Sequence, residues 1–165
     1  MIENKILELM NDIEYGWVDK YGNKHIDDYD TFSSEYILET SDEVINNRIG
    51  VCWDQVEFER EQFKDYNYKT FFIVYYDGGE CPTHTFLVYE KDNKYYWFEH
   101  AWKKYKGIFE YNSLEELIIN VKNKFIDDKL NNFDEENLKI YEYSKPKEHI
   151  GVDEFFKHCE SGNEY

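Results

Sequence analysis

Residues 48 to 60 read RIGVCWDQVEFER, and Cys52 stands where a helical pattern begins. A thiol in that place is either a buried, inert side chain, as free cysteines commonly are, or a nucleophile ionised by the unpaired amides and dipole of a helix N-terminus. Nucleophilic chemistry also needs a base. His84 opens the strand pattern HTFLVYE, where a sheet can hold its ring against the helix. An acid to orient the imidazole stands in the next strand pattern, at Glu99, fifteen residues on. Along the helix, Cys52, Val56 and Phe63 share a face with Trp53 beside them, while Asp54, Glu57, Glu61 and Lys64 are expected outside it.

Whether the three groups meet depends on one turn. If Asp92-Asn93 is a two-residue hairpin turn, residue 86 faces Glu99 and His84 faces Ala101, so His84 and Glu99 lie diagonally on one face of the sheet. They should then project toward the N-terminus of the Cys52 helix. A three-residue loop moves Glu99 to the other face and aims His100 at His84 instead. A competing use of the same histidine is metal binding, because Cys81-Pro-Thr-His84 has the two-residue gap of a zinc knuckle. No second close pair completes such a site, so no metal is expected.

The elements that must position these residues are legible as changes of period. Ile2, Ile6, Leu9, Met10 and Ile13 recur at helical spacing up to Gly16. Thr40 or Ser41 can cap a short helix carrying Val44 and Ile45, expected to end at Gly50. YKTFFIVYY, HTFLVYE and KYYWFEHAW are rich in aromatic and β-branched residues and are joined by short breaks, which implies an antiparallel meander. SLEELIINVKNKF starts with Ser113 and Glu116 in capping-box spacing; NLKIYEYSKP reads as a fourth strand and VDEFFKHCES as a last helix. Helices, then sheet, then helix, strand and helix make an α+β fold, expected as one domain over 1–165.

Composition narrows the function classes. With 19 Lys plus Arg against 36 Asp plus Glu, the net charge of −17 argues against a phosphate-binding surface, so no nucleic-acid partner is expected. The aromatic share of 19%, with 2 Pro and 8 Gly, is opposite to that of disordered chains. Cys52, Cys81 and Cys159 lack the pairing of a disulfide framework, and no stretch has a signal-peptide core or bilayer-spanning length. A cytoplasmic protein with reduced thiols and no membrane partner is the expectation.

Gly50-Val-Cys52-Trp53, then His84 in a strand, then an acid in the next strand, resembles the transglutaminase-like family, whose papain-like core runs Cys, His, Asp in that order. The resemblance covers about residues 48 to 101, and it departs at Glu99, where the family usually has Asp. It implies a papain-like fold with the Cys-bearing helix packed on an antiparallel sheet. By position it makes Cys52 the nucleophile, His84 the general base and acid, and Glu99 the orienting acid. It also points to an upstream oxyanion donor, for which Trp17 in EYGWVD offers its indole N–H, with Trp53 and Gln55 as further oxyanion or pocket candidates. The expected activity is cofactor-free acyl transfer on an amide of a peptide or protein, as a peptidase, deamidase or transamidase, and the acidic surface favours a basic substrate. The alternative is an inactive module of the same fold that binds a basic protein partner through its acidic face.

Overall fold

The computed structural model describes residues 2–79 and 81–165; Met1 and Glu80, the latter within the DGGECPT connection, lie outside the described residues. The chain opens with α1 (Ile2–Leu9), shorter than its apolar spacing suggests, because turns take over while Met10 and Ile13 stay in the core. A small hairpin follows, β1 (Trp17–Val18) and β2 (Lys24–His25), and then a single turn of helix, α2 (Phe32–Glu35). Helix α3 (Ser41–Asn47) starts at Thr40, whose hydroxyl accepts the Glu43 N–H while Glu43 accepts the Thr40 N–H. It ends earlier than expected, since Arg48, with φ 56°, takes the left-handed cap position in place of Gly50.

Helix α4 (Cys52–Gln62) leads into three long strands, β3 (Asn67–Tyr75), β4 (Thr83–Lys91) and β5 (Lys94–Glu99). They form the expected antiparallel meander, each pairing with the next. After it come β6 (Gly107–Tyr111), α5 (Leu114–Lys129), β7 (Leu138–Glu142), α6 (Val152–Glu160) and β8 (Asn163–Glu164). The larger sheet has the order β6-β5-β4-β3-β7-β8 and is antiparallel throughout. Phe71, Ile73, Phe86, Val88 and Trp97 bury one face against α5, while Phe72, Val74, Leu87 and Phe98 serve the face that carries α4 and α6. Helices thus pack on both faces of an antiparallel sheet, an α+β architecture in which α4 starts near one end of β4. Among the described residues, no helix is long and apolar enough to cross a membrane.

The turn that governs register has two residues. Asp92 (φ 52°) and Asn93 (φ 62°) both lie in the left-handed region, as a type I′ turn requires, and Lys91 pairs with Lys94. The same register runs to Leu87 opposite Phe98, so His84 and Glu99 fall on one side of the sheet.

Helix α4 corrects the sequence expectation. Of the charged residues expected outside its buried face, Asp54 and Glu57 are buried, as are Glu59 and Arg60, because the helix is enclosed by the sheet, by residues 36–39 and by α6. Long-range partners make this tolerable. Asp54 accepts hydrogen bonds from the Tyr36 hydroxyl at 2.5 Å and from the Glu39 and Val51 amides at 3.0 Å. Glu57 and Arg60 form a two-pronged pair at 3.1 and 3.2 Å, with the guanidinium over the Tyr143 ring.

Burial pushes the Asp54 carboxyl up to about 7 and the Glu39 carboxyl up to about 8, the latter raised further by Asp54. An acid with a raised folded pKa binds its proton more tightly folded than unfolded. Its stabilising contribution is complete below the ordinary carboxylate range and is lost as pH rises through those values. The melting temperature is therefore expected to fall between pH of about 5 and about 9, by roughly 4–8 °C for a loss of ~2 kcal/mol. Glu39→Gln should flatten that slope in calorimetry at fixed ionic strength. A melting temperature that rises over this range, or a slope unchanged by the substitution, contradicts the assignment.

Candidate active site

Cys52 is the first residue of α4, delivered by an extended Val51 (ψ 175°) and by Gly50. Gly50 has no room for a side chain, since a Cβ there would stand 3.0 Å from Asp54 Cβ and 3.3 Å from Gln55 Cγ. Asp54 folds back onto the Val51 amide and pins the first turn. The thiol is 4% exposed and lies against His84 and Thr85. Burial opposes its ionisation, yet the interaction with the His84 imidazole and the nearby Thr85 amide outweigh that, and its pKa lies below the ordinary thiol value.

His84, 3% exposed, is the second residue of β4, and its Nε2 lies 2.6 Å from Glu99 Oε1. Trp102 stands edge-on to the imidazole, 5.0 Å between ring centres. Glu99, 2% exposed, also accepts the Trp97 indole N–H at 3.3 Å and the Trp102 amide at 3.0 Å. With Nε2–H donating to Glu99, Nδ1 is the nitrogen left for the thiol. Burial alone would depress His84, but Glu99 and Cys52 reverse the sign and push it up to about 9. A lowered thiol beside a raised imidazole is an arrangement in which the charged ring favours the thiolate over the thiol. Farther along their strands, the face that bears His84 and Glu99 packs on α5, through Phe86 and Trp97. The imidazole meets the Cys-bearing helix only at the sheet's end, where α4 begins.

The remaining candidates are placed differently. The Trp17 indole N–H, expected to donate to an oxyanion, already donates to the Asp28 carbonyl at 2.7 Å, and its ring stacks on His25; this corrects the expectation. Gln55 is likewise engaged: its amide donates to the Gly50 carbonyl at 2.8 Å and its oxygen lies 2.6 Å from His100 Nδ1. Trp53 is a core residue stacked on Phe155, with its indole N–H on Thr83 Oγ1 at 3.2 Å. With a two-residue turn His100 is not aimed at His84 but lies on Gln55; burial and the nearby Lys106 push it down to about 4. Cys159 is fully buried and raised by burial, and Cys81 is half-buried in the connection before β4. Among the described residues, no group of three or more His, Cys, Asp or Glu is arranged to hold a metal ion.

Sequence reading missed Tyr15. The residue is 39% exposed, yet burial around its hydroxyl and the nearby Cys52 thiol raise its pKa. The only signal for it was proximity to Trp17 in EYGWVD. Tyr15 lines a cleft of about 470 Å³ together with Glu14, Ile26, Asp27, Thr83, His84, Ala101, Trp102, Lys103 and Lys129. Compared with protein-family models and with curated proteins, the chain gives no match.

The His84–Glu99 contact makes a direct prediction. Histidine NMR should find one imidazole titrating near 9 in the wild-type protein, and Glu99→Gln should lower it by about 1–3 units, the usual effect of one adjacent opposite charge. A His84 that titrates near its ordinary value in both proteins would contradict the geometry.

Proposed function

We propose that this chain is a thiol-dependent acyl-transfer enzyme acting on amides of peptides or proteins, with a papain-like arrangement of Cys52, His84 and Glu99. The observation that carries the reading is the 2.6 Å bond between His84 Nε2 and Glu99 Oε1, which frees the other ring nitrogen for a thiol at a helix N-terminus, beside a cleft. Hydrogen-bonded Cys, His and acid need neither metal nor organic cofactor for this chemistry.

In the first half-reaction the Cys52 thiolate adds to the amide carbonyl carbon and the oxygen takes up negative charge. Collapse of that adduct breaks the C–N bond as the His84 imidazolium gives its proton to the departing nitrogen, leaving an acyl-thioester and a free amine. In the second half-reaction His84 removes a proton from water or from an acceptor amine, which attacks the thioester and regenerates the thiolate. Water yields a carboxylic acid; an amine yields a new amide. Glu99 keeps the ring oriented and stabilises its charged form. With Trp17 and Gln55 committed elsewhere, the donors that remain for the oxyanion are the first-turn amides of α4 and the Tyr15 hydroxyl.

Exposure to an activated amide or ester, followed by intact-mass spectrometry and peptide mapping, should show one acyl group on Cys52 and none on Cys81 or Cys159. His84→Ala should slow acylation by about 10²–10⁴-fold, the range for loss of a positioned acid–base group. If no acyl group accumulates and no amide turns over, or if Cys81 alone is modified, the catalytic reading fails and a binding module of the same fold becomes the better account.

A further inference from the structure

The cleft is lined by side chains of both charges. Glu14 and Asp27 on the one hand and Lys103 and Lys129 on the other all line it, and among the described residues none of the four forms a salt bridge. Their neighbours do find partners: Lys104 pairs with Asp128 at 3.2 Å, and Lys106 donates to Asn11. In a chain with 36 acidic residues, two lysines without salt bridges lining the same cleft as His84 are a local reversal of the overall charge.

Backbone and ring contacts say which side of the cleft belongs to which catalytic group. The Glu14 amide donates to the Arg48 carbonyl at 3.0 Å and its carbonyl accepts the Gly50 amide at 3.1 Å, so Glu14 is tied to the segment that delivers Cys52. On the other side Trp102 packs on His84, Lys103 follows it directly, and Lys129 Nζ lies 5.1 Å from the centre of the Trp102 ring. Glu14 thus stands on the thiol's side of the cleft and the lysines on the imidazole's. An amide attacked at carbon by Cys52 and protonated at nitrogen by His84 must lie along that same axis.

We propose that the cleft selects a dipolar peptide, with a cationic side chain on the acyl side of the amide facing Glu14 and Asp27, and a carboxylate on the leaving-amine side facing Lys103 and Lys129. This rests on the acyl-transfer reading for which end is which, and it replaces the simpler expectation of a basic substrate drawn from net charge. All four side chains are at the surface, so the selection is by charge and is screened by salt.

The test uses four matched fluorogenic peptides, carrying Lys or Ala before the amide and Glu or Ala after it. Cleavage is followed with the wild-type protein and with K103E/K129E, and binding of the same peptides to Cys52→Ala is followed by fluorescence anisotropy. The Lys/Glu peptide should be preferred over Ala/Ala by about 5–30-fold in kcat/KM at low salt, shrinking as salt is added. K103E/K129E should abolish the preference for Glu. If the wild type cleaves nothing while Cys52→Ala still ranks the peptides in this order, the acyl-transfer reading fails and the dipolar cleft stands. If Cys52→Ala treats the four peptides alike, or the double reversal leaves their ranking unchanged, the dipolar cleft is overturned whether or not the wild type cleaves.

Discussion

A carboxylate and an imidazole 2.6 Å apart, both almost wholly removed from water, are expensive to hold unless each has further partners. Glu99 has them in the Trp97 indole and the Trp102 amide; His84 has the Cys52 thiol. Most of what surrounds the cleft follows from keeping this contact intact. The type I′ turn at Asp92-Asn93 sets the strand register that brings the two side chains to one face. Trp102 closes over the imidazole, and its amide ties the segment after β5 to Glu99, so the same residue shapes both the pair and the cleft wall.

The second constraint is the placement of α4. Helix α4 presents its first residue, Cys52, at the end of the sheet, and it is fixed there by buried charge as well as by apolar packing. Asp54 gathers the Tyr36 hydroxyl and the Glu39 and Val51 amides, and thereby joins the loop before α3 to the turn that delivers Cys52. Glu57 and Arg60 anchor the middle of the helix against Tyr143. Such groups destabilise when left unpaired, so the arrangement tolerates few alternatives and holds the thiol in one position.

The parts of this organisation that are local in sequence were legible there. Aromatic, β-branched runs with brief breaks gave β3, β4 and β5; Thr40 or Ser41, and Ser113 with Glu116, marked helix starts; Asp92-Asn93 set the register. What escaped depends on distant partners. The burial of Asp54 needs Tyr36 and residue 39, and Trp17 is spent on the carbonyl of Asp28 in an irregular segment, neither of which a periodic pattern records. Strands β6 and β8 were missed because one is a five-residue run behind Gly107 and the other a two-residue edge. Tyr15 reaches the thiol only through the fold of the N-terminal segment, where no motif marks it.

The central claim is that the His84 imidazole favours ionisation of the Cys52 thiol. Ultraviolet thiolate absorbance, taken as the difference between wild-type protein and Cys52→Ser across a pH titration, measures it directly. The account expects one thiolate equivalent already present well below the ordinary thiol range near 8.5, and lost in His84→Ala. A Cys52 that ionises only at or above the ordinary thiol value, with the same profile in His84→Ala, would contradict it.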